Sequence, residues 1–345
     1  PGGMRPAHHD FARDLADALD GTVSIVTRLD AARALGEEAD LAATAQFLHR
    51  IEDDHDFVVL VGDGDDGGWL NLCRRQCDVA LYVGFAEGLG EFGEHEPDLA
   101  EPDQSDHLVI IQTCDIPSGT RSIVESRGRP RHHNVRKGSV QDVARVARIV
   151  TGSSVGVVFG GGGARGFAHL GVLKAMLEVG LPIDHVGGTS IGASVASGYA
   201  MGQGWEKLVE LERWVTFERG RIVDATLPTV ALAKGKRLVS GLREGYGETE
   251  IDDLWIDFFC VSSDLSVGDI HIHRRGPVWS AVRASTAVPG VFAPMRSSDG
   301  HVLVDGGVLD NLPVNPMAEE FAPAIIVAVD LRAPTHLEAD DLPDD

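Results

Sequence analysis

Residues 154–179 of the chain read SVGVVFGGGGARGFAHLGVLKAMLEV, and this stretch decides the fold of the second half of the sequence. Its first seven residues are largely apolar and predict a buried strand. Apolar residues at helical spacing follow the glycines, and Gly180 is typical of a residue that ends a helix. A strand that passes through a glycine loop into a helix is typical of an α/β domain, in which such loops lie at the carboxyl ends of the strands.

Similar apolar segments occur in the first half of the chain. The candidate strands there are separated by segments of helical spacing and span 22–27, 56–62, 78–84 and 107–113. Apolar strands separated by helices indicate a parallel sheet covered on both faces. The predicted fold class is therefore α/β, with a Rossmann-like, non-catalytic parallel-sheet domain over 1–150, a second α/β domain over 151–335 and an acidic tail over 336–345.

A polar and basic stretch, PSGTRSIVESRGRPRHHNVRKGS, precedes the boundary between these domains at 117–139. Two interpretations of it remain open. It is either a solvated connector that pairs with the acidic first domain, or a patch that docks on anionic lipid headgroups.

The composition excludes several classes of function. The chain has 345 residues and a formal net charge of −23, which argues against nucleic-acid binding because no large basic surface is available. Cys73 and Cys77 lack a second pair of cysteines, which favours buried thiols, and we predict neither a metal nor a cofactor. The sequence contains no signal-peptide pattern and no run of about 18 apolar residues, so a cytoplasmic protein with at most peripheral membrane contact is expected.

The glycine loop matches the pattern of a dinucleotide site, but its surroundings do not. Gly161, Gly163 and Gly166 satisfy G-x-G-x-x-G between a strand and a helix. The acidic residue that should bind a ribose is then Asp184, at the start of the next strand and at the opposite edge of the sheet from the loop. A Walker loop fails as well, because no Gly-Lys-Ser/Thr follows the glycines.

A serine motif stands at the carboxyl end of that next strand. Residues 188–192 read GTSIG, a G-x-S-x-G pattern between a strand and a helix, the setting in which this pattern marks a nucleophile. Gly188 and Gly192 leave room for the close backbone approach of a tight turn. Because the two loops follow consecutive parallel strands, they can face one crevice. Beside Ser190 we therefore expect an oxyanion hole formed by the backbone amides of Gly161, Gly162 and Gly163.

The serine also needs a base. Three histidines after Ser190 fall on strand-like stretches and one falls in the tail, namely His271, His273, His301 and His336. Asp305 ends an apolar strand and is followed by Gly306 and Gly307. A carboxylate there can accept the Ser190 proton directly if the site excludes water.

Three motifs of this chain resemble, in residues and in order, those of patatin-like phospholipases: GGGGARG, GTSIG and DGG. The resemblance implies a three-layer αβα domain with a Ser190–Asp305 dyad and an oxyanion loop at Gly161–Gly163. It also implies a basic residue after the loop, Arg165, which either orients the loop or meets a substrate phosphate. The position of Arg165 at a helix start favours the orienting role. Two features fit the branch of the family that is similar to neuropathy target esterase. They are Gly160, where many members have Asp, and the sequence VDGGVLDNLPV at 304–314.

The resemblance implies a serine esterase that releases fatty acid from lysophospholipids or phospholipids. One alternative is a general carboxylesterase or acylglycerol lipase, because the residues do not specify the head group. Another is a nucleotide-responsive regulatory module in residues 1–150.

Overall fold

The computed structural model describes residues 7–36, 40–62, 67–88, 105–213, 231–233 and 235–331. The chain divides into two compact units, Pro1–Ser154 and Val155–Asp345. The acidic tail expected over 336–345 lies outside the described residues.

The first unit consists of parallel strands covered by helices. Its helices are α1 (Ala7–Ala18), α2 (Arg28–Leu35), α3 (Leu41–Asp54), α4 (Gly67–Gln76), α5 (Thr120–Glu125) and α6 (Val140–Val150). Its strands are β1 (Val23–Thr27), β2 (Phe57–Val61), β3 (Ala80–Phe85), β4 (Asp106–Gln112) and β5 (Arg131–Arg136). The α/β class predicted for this unit is confirmed.

The expectation of a single sheet in the first unit is wrong. The described strands form two parallel sheets, β1–β2 and β3–β4–β5. Each sheet has its own apolar cluster, with Val26, Leu48 and Trp69 in the first and Val109 and Val146 in the second. Hydropathy identifies strands one at a time and does not specify which of them pair, so it could not separate the two sheets.

Strand β5 lies within the stretch that was expected to be a solvated connector or a headgroup patch. Beside the apolar Val135, its buried residues are the polar His133 and Asn134, which have specific partners. Asn134 Oδ1 accepts a hydrogen bond from Gln112 Nε2 at 2.9 Å, and the Asn134 carbonyl accepts one from Arg145 at 2.8 Å. His133 Nε2 lies 2.8 Å from His107 Nδ1. A strand stabilised by paired polar groups has no apolar pattern, which is why the sequence did not reveal it.

The second unit contains the predicted serine and aspartate. Its helices are α7 (Phe167–Glu178), α8 (Ile191–Ala200), α9 (Trp205–Arg213), α10 (Lys236–Tyr246), α11 (Val278–Ser285) and α12 (Val314–Phe321). Its strands are β6 (Val155–Phe159), β7 (His185–Thr189), β8 (Asp257–Asp264), β9 (Asp269–His273), β10 (Met295–Arg296), β11 (Val302–Asp305) and β12 (Ile325–Val329).

The described strands of this unit form one sheet between two layers of helices. The order is β10–β11–β8–β7–β6–β12, with β9 also paired to β8. Strands β12, β6, β7 and β8 are parallel, whereas β9 and β11 run antiparallel to β8. Alternate residues face opposite sides, so Val157 and Phe159 pack with Leu173 of α7 while Val158 packs with Met317 of α12. The predicted three-layer αβα fold is confirmed.

None of the described helices is long and apolar enough to cross a membrane.

Helix α8, which begins directly after Ser190, is anchored by a buried polar cluster. Ser194 Oγ donates to Glu212 Oε1 at 2.7 Å, and Ser197 Oγ donates to the Tyr246 hydroxyl at 2.9 Å. The other carboxylate oxygen of Glu212 is buried and has no hydrogen-bond partner among the described residues. Burial raises the pKa of Glu212 to about 7, although the hydrogen bond from Ser194 opposes the shift.

This raised pKa predicts a pH-dependent stability. Since the ordinary pKa of glutamate is 4.5, the folded chain favours the protonated form, and stability is lost as the pH rises from about 4.5 through 7. Glu212→Gln keeps the shape and cannot ionise. We expect the free energy of unfolding of the wild type to fall by on the order of 3 kcal/mol relative to Glu212→Gln between pH 5 and 9. Denaturant unfolding of both proteins measures this difference, with the exposed Glu210→Gln on the same helix as the control. An equal decline in all three proteins would contradict it.

Candidate active site

Ser190 lies on a strained turn between β7 and α8. Its φ of 56° and ψ of −123° are unusual for a residue with a side chain. The backbone N–H of Ser190 donates to Ser285 Oγ at 2.9 Å, and the Ser285 hydroxyl donates to the Val261 carbonyl at 2.7 Å. These two bonds hold the turn in its strained conformation, as a nucleophile between a strand and a helix requires.

The glycines on either side of Ser190 are dictated by backbone crowding. A Cβ on Gly192 would lie 2.1 Å from the Phe159 carbonyl oxygen, and a Cβ on Gly188 would lie 2.5 Å from the Gly192 carbonyl carbon. Backbone atoms cannot rotate away as a side chain can, so neither position accepts a larger residue without displacing a strand end.

The hydroxyl of Ser190 donates to Asp305 Oδ2 at 2.6 Å, across 115 positions of sequence. The second oxygen of Asp305 accepts a hydrogen bond from the Gly307 N–H at 2.8 Å. A Cβ on Gly306 would lie 2.4 Å from the Val261 carbonyl oxygen, so the chain can leave β11 along this path only without a side chain there. Burial raises the pKa of Asp305 above its ordinary value, although its two hydrogen bonds oppose the shift. A buried carboxylate that contacts the serine hydroxyl is suited to accept its proton.

The raised pKa of Asp305 predicts an acidic limb in the pH profile of ester hydrolysis. Only the ionised carboxylate can accept the Ser190 proton, so kcat/KM should fall about tenfold per pH unit below that pKa. The midpoint should lie above 3.8, the ordinary value for aspartate. A profile measured with an uncharged ester tests this, while thermal unfolding over the same range controls for loss of the fold. Constant kcat/KM down to pH 3.8 in folded protein would contradict a role for ionised Asp305.

The amides of the glycine loop differ in what they contact. The N–H of Gly161 donates to the Asn311 carbonyl at 3.0 Å, so this amide is already occupied. The amides of Gly162 and Gly163 make no hydrogen bond to any described residue. A Cβ on Gly161 would lie 3.4 Å from the Cβ of Ser190, so the loop passes directly beside the serine. Of the three amides predicted for an oxyanion hole, those of Gly162 and Gly163 are thus not occupied by any part of the chain that the structure describes.

The Arg165 side chain, whose position favoured a role in orienting the loop, is exposed in the structure. A short 3-10 turn at Gly163–Gly166 precedes α7 and exposes residues 163–165 to solvent. The Arg165 side chain makes neither a hydrogen bond nor an ion pair with any other described residue. Its charge is therefore available to a ligand next to the glycine loop.

The histidines that the sequence offered as alternative bases are engaged elsewhere. His273 Nε2 lies 2.8 Å from Ser262 Oγ, and its ring packs against that of His271. His301 Nδ1 lies 2.6 Å from Asp264 Oδ2. His336 is outside the described residues.

The Asp184 carboxylate, at the start of β7, is bound to the backbone of the neighbouring strand. Asp184 Oδ2 accepts the Val155 N–H at 2.9 Å, so this carboxylate joins the beginnings of two strands. Within the described part of the chain, no three His, Cys, Asp or Glu side chains are close enough together to hold a metal ion.

Sequence reasoning missed three residues that support the site: Ser285, Asn311 and His169. His169 Nε2 hydrogen-bonds to the Gly160 carbonyl at 2.7 Å, and Asn311 Nδ2 donates to the Gly161 carbonyl at 3.2 Å. Both contacts are to backbone atoms, and no spacing pattern in the sequence signals such contacts.

The amino-acid sequence of this chain is similar to those of several known proteins. Residues 157–318 match the family model described as patatin-like phospholipase. The chain is 29% identical over 369 residues to patatin-like phospholipase domain-containing protein 7 of Mus musculus, with 93% of this chain and 27% of that protein covered. It is also 29% identical over 351 residues to neuropathy target esterase sws of Drosophila melanogaster, with 90% of this chain and 24% of that protein covered. The chain thus spans about a quarter of the length of these relatives.

A solved structure, VipD from Legionella pneumophila, is 16% identical to this chain with a TM-score of 0.39, and the match covers 47% of each of the two chains. The sequence relatives and the family model agree with each other and with the resemblance of the three motifs. Residues 157–318 of the chain therefore form a patatin-like phospholipase domain, and the chain is similar to family members that include neuropathy target esterase.

Proposed function

We propose that the chain is a serine esterase that hydrolyses carboxylic ester bonds of lysophospholipids or phospholipids and releases a fatty acid. The observation that carries the proposal is the 2.6 Å hydrogen bond from Ser190 Oγ to the buried carboxylate of Asp305. The surrounding patatin-like phospholipase domain supports a lipid ester as the substrate.

In the proposed reaction, Ser190 Oγ attacks the ester carbonyl carbon while Asp305 takes the hydroxyl proton. The amides of Gly162 and Gly163 donate hydrogen bonds to the oxyanion of the tetrahedral intermediate. When the intermediate collapses, the bond to the leaving alcohol oxygen breaks and Asp305 returns the proton to that oxygen. Water then attacks the acyl-serine, Asp305 takes its proton and transfers it to the departing Ser190 Oγ, and the fatty acid leaves.

The exposed guanidinium of Arg165 supports a substrate that carries a phosphate. Arg165 stands two residues after Gly163, in a chain whose formal net charge is −23. A guanidinium can bind a phosphate through two parallel hydrogen bonds, which offsets the repulsion expected from the rest of the protein. An uncharged acylglycerol or simple carboxylic ester offers no anionic group to this charge.

Release of fatty acid from lysophosphatidylcholine, diacyl phosphatidylcholine and a monoacylglycerol of the same chain length tests the proposal. We expect release from at least one phospholipid by the wild type and none by Ser190→Ala. Arg165→Leu should lower kcat/KM for that phospholipid about tenfold and leave the monoacylglycerol unchanged, since one charge-assisted contact contributes about 1.5–3 kcal/mol. The exposed Arg275→Leu is the matched control. Hydrolysis of the monoacylglycerol alone would favour the acylglycerol lipase, and no hydrolysis of any ester by folded protein would overturn the proposal.

We also propose that the substrate is taken from a membrane surface with which the site makes peripheral contact. Val308 and Leu309 follow the Asp305 turn directly and are 50% and 49% exposed. Val288 is also exposed, and it adjoins Ala287, whose carbonyl accepts the Asp305 N–H at 2.9 Å. Exposed apolar side chains beside a lipid-hydrolysing site can enter the boundary between headgroups and acyl chains.

Replacing Val308 and Leu309 together by serine is expected to weaken binding to phosphatidylcholine vesicles by about tenfold or more, because each apolar side chain contributes about 1.5–3 kcal/mol when fully buried. Co-sedimentation of the protein with vesicles measures the binding. Val179→Ser, at an 80% exposed position after α7, is the control. Equal loss in the control and the double variant, or no loss in either, would show that this rim does not contact the membrane.

A further inference from the structure

We propose that Asn311 is a positioning residue that sets the direction of the Gly162 amide hydrogen, and thereby shapes the oxyanion hole. This inference rests on the proposed esterase function. It assigns a role to a residue that is neither the nucleophile nor the base, and that lies 150 positions from the loop it contacts.

Asn311 holds the glycine loop through two hydrogen bonds of opposite sense. Its carbonyl accepts the Gly161 N–H at 3.0 Å, and its side-chain Nδ2 donates to the Gly161 carbonyl at 3.2 Å. Both polar groups of Gly161 are therefore bound to the same residue. A Cβ on Gly161 would lie 2.5 Å from Asn311 Oδ1, so the glycine is needed for the two segments to approach this closely.

The planarity of the peptide bond carries this restraint to the next amide. The carbonyl of Gly161 and the N–H of Gly162 belong to one trans peptide unit, in which they point in opposite directions. When Asn311 Nδ2 binds the carbonyl, the Gly162 hydrogen must point away from Asn311. Without that bond, the peptide unit could rotate, and the hydrogen would no longer be fixed where the oxyanion forms.

The preceding peptide unit is held in the same way. His169 is fully buried on α7, and its Nε2 lies 2.7 Å from the Gly160 carbonyl. Burial lowers the pKa of His169, although its contact with Gly160 opposes the shift, which favours a neutral ring whose Nε2–H is the donor. The loop thus has two successive peptide carbonyls fixed, by His169 at Gly160 and by Asn311 at Gly161. Among the residues that the structure describes, the first loop amide without a hydrogen-bond partner is that of Gly162.

The segment that carries Asn311 is itself tied to the strand that ends at Ser190. The Thr189 hydroxyl donates to the Asp310 carbonyl at 3.0 Å. Asn311 Oδ1 also lies close to Gly307, because a Cβ on that glycine would be 2.9 Å from it. The turn after Asp305 therefore contacts both the nucleophile strand and the glycine loop, and Asn311 can keep the nucleophile, the base and the amide donor in register.

Kinetics of Asn311→Ala and Asn311→Asp with a p-nitrophenyl ester and its thionoester test the proposal. Both variants lose the Nδ2 donor, and neither loses the backbone carbonyl that binds Gly161. Sulfur accepts hydrogen bonds weakly, so an oxyanion hole accelerates the oxygen ester far more than the sulfur ester. We expect kcat for the oxygen ester to fall about 10- to 100-fold, with KM little changed. This loss is smaller than the 10²- to 10³-fold decrease in kcat that is typical when an oxyanion-hole donor is removed outright. The ratio of the two kcat values should fall in parallel.

A merely structural role would not change that ratio, because both rates are measured on one sample and an unfolded fraction cancels. Asn315→Ala, an exposed asparagine on α12, is the matched control and should match the wild type. A wild-type ratio in both Asn311 variants, with Ser190→Ala inactive, would overturn the role of Asn311 alone. Inactivity of the wild type on both esters would overturn the proposed function and the role of Asn311 with it.

Discussion

Asp305→Asn is expected to lower kcat for ester hydrolysis by on the order of 10³- to 10⁴-fold, with the fold intact. The side chain keeps its shape, and an amide oxygen can still accept the Gly307 N–H that Asp305 Oδ1 accepts at 2.8 Å. The amide nitrogen then replaces Oδ2 opposite Ser190 and can only donate a hydrogen bond. Ser190 would be left without a group to take its proton, while the glycine amides remain in place.

Steady-state kinetics with a soluble ester measure this loss, and thermal unfolding of the variant checks the fold. Asp299→Asn is the matched control, because Asp299 is exposed in the turn at the opposite end of the same strand. Activity of Asp305→Asn within tenfold of the wild type would mean that the serine proton goes to another group.

Gly192→Ala is expected to be the most destabilising single-methyl substitution in the site. The added Cβ would lie 2.1 Å from the Phe159 carbonyl oxygen and 2.6 Å from the Phe159 carbonyl carbon. Because these are backbone atoms at the end of β6, relief requires α8 and β6 to separate. Over-packing that side chains can relieve costs about 1–3 kcal/mol, so we expect more than about 3 kcal/mol here and a Tm lower by about 10 °C.

Gly171→Ala, in the neighbouring helix α7, is expected to increase the stability of the protein. Gly171 lies in α7, and a Cβ there would meet no atom within 4 Å. Alanine should therefore raise the stability by about 0.5–1 kcal/mol, since glycine is the poorer helix former. Scanning calorimetry of both variants measures the contrast. Equal stability of Gly192→Ala and the wild type would contradict the crowding between β6 and α8.

The sequence predicted the elements that have a local signal. The strand before Gly160 and the turn at Ser190 were identified because glycines and apolar runs stand at fixed spacings beside them. The pairing of Ser190 with Asp305 required one further inference, that two chain segments distant in sequence meet at one edge of a sheet. In the structure, Ser190 Oγ and Asp305 Oδ2 lie 2.6 Å apart.

The features that the sequence did not reveal depend on contacts that follow no fixed spacing along the chain. Ser285 and Asn311 act on backbone atoms of segments 95 and 150 positions away, and an isolated serine or asparagine carries no sign of this. The exposure of Arg165 depends on how a 3-10 turn ends, which spacing does not determine. Strand β5 was missed because two of its three buried residues, His133 and Asn134, are polar and are satisfied by polar partners on other elements.

Covalent labelling of the folded protein by a fluorophosphonate, followed by mass spectrometry of its peptides, tests most directly the central claim that Ser190 is the nucleophile. We predict one adduct per chain, on the peptide that contains Ser190, with hydrolysis of the phospholipid that the wild type cleaves lost in proportion to labelling. No adduct should form on Ser190→Ala, and formation on Asp305→Asn should be slower. An adduct on a different serine, or full hydrolysis by protein labelled at Ser190, would contradict the assignment.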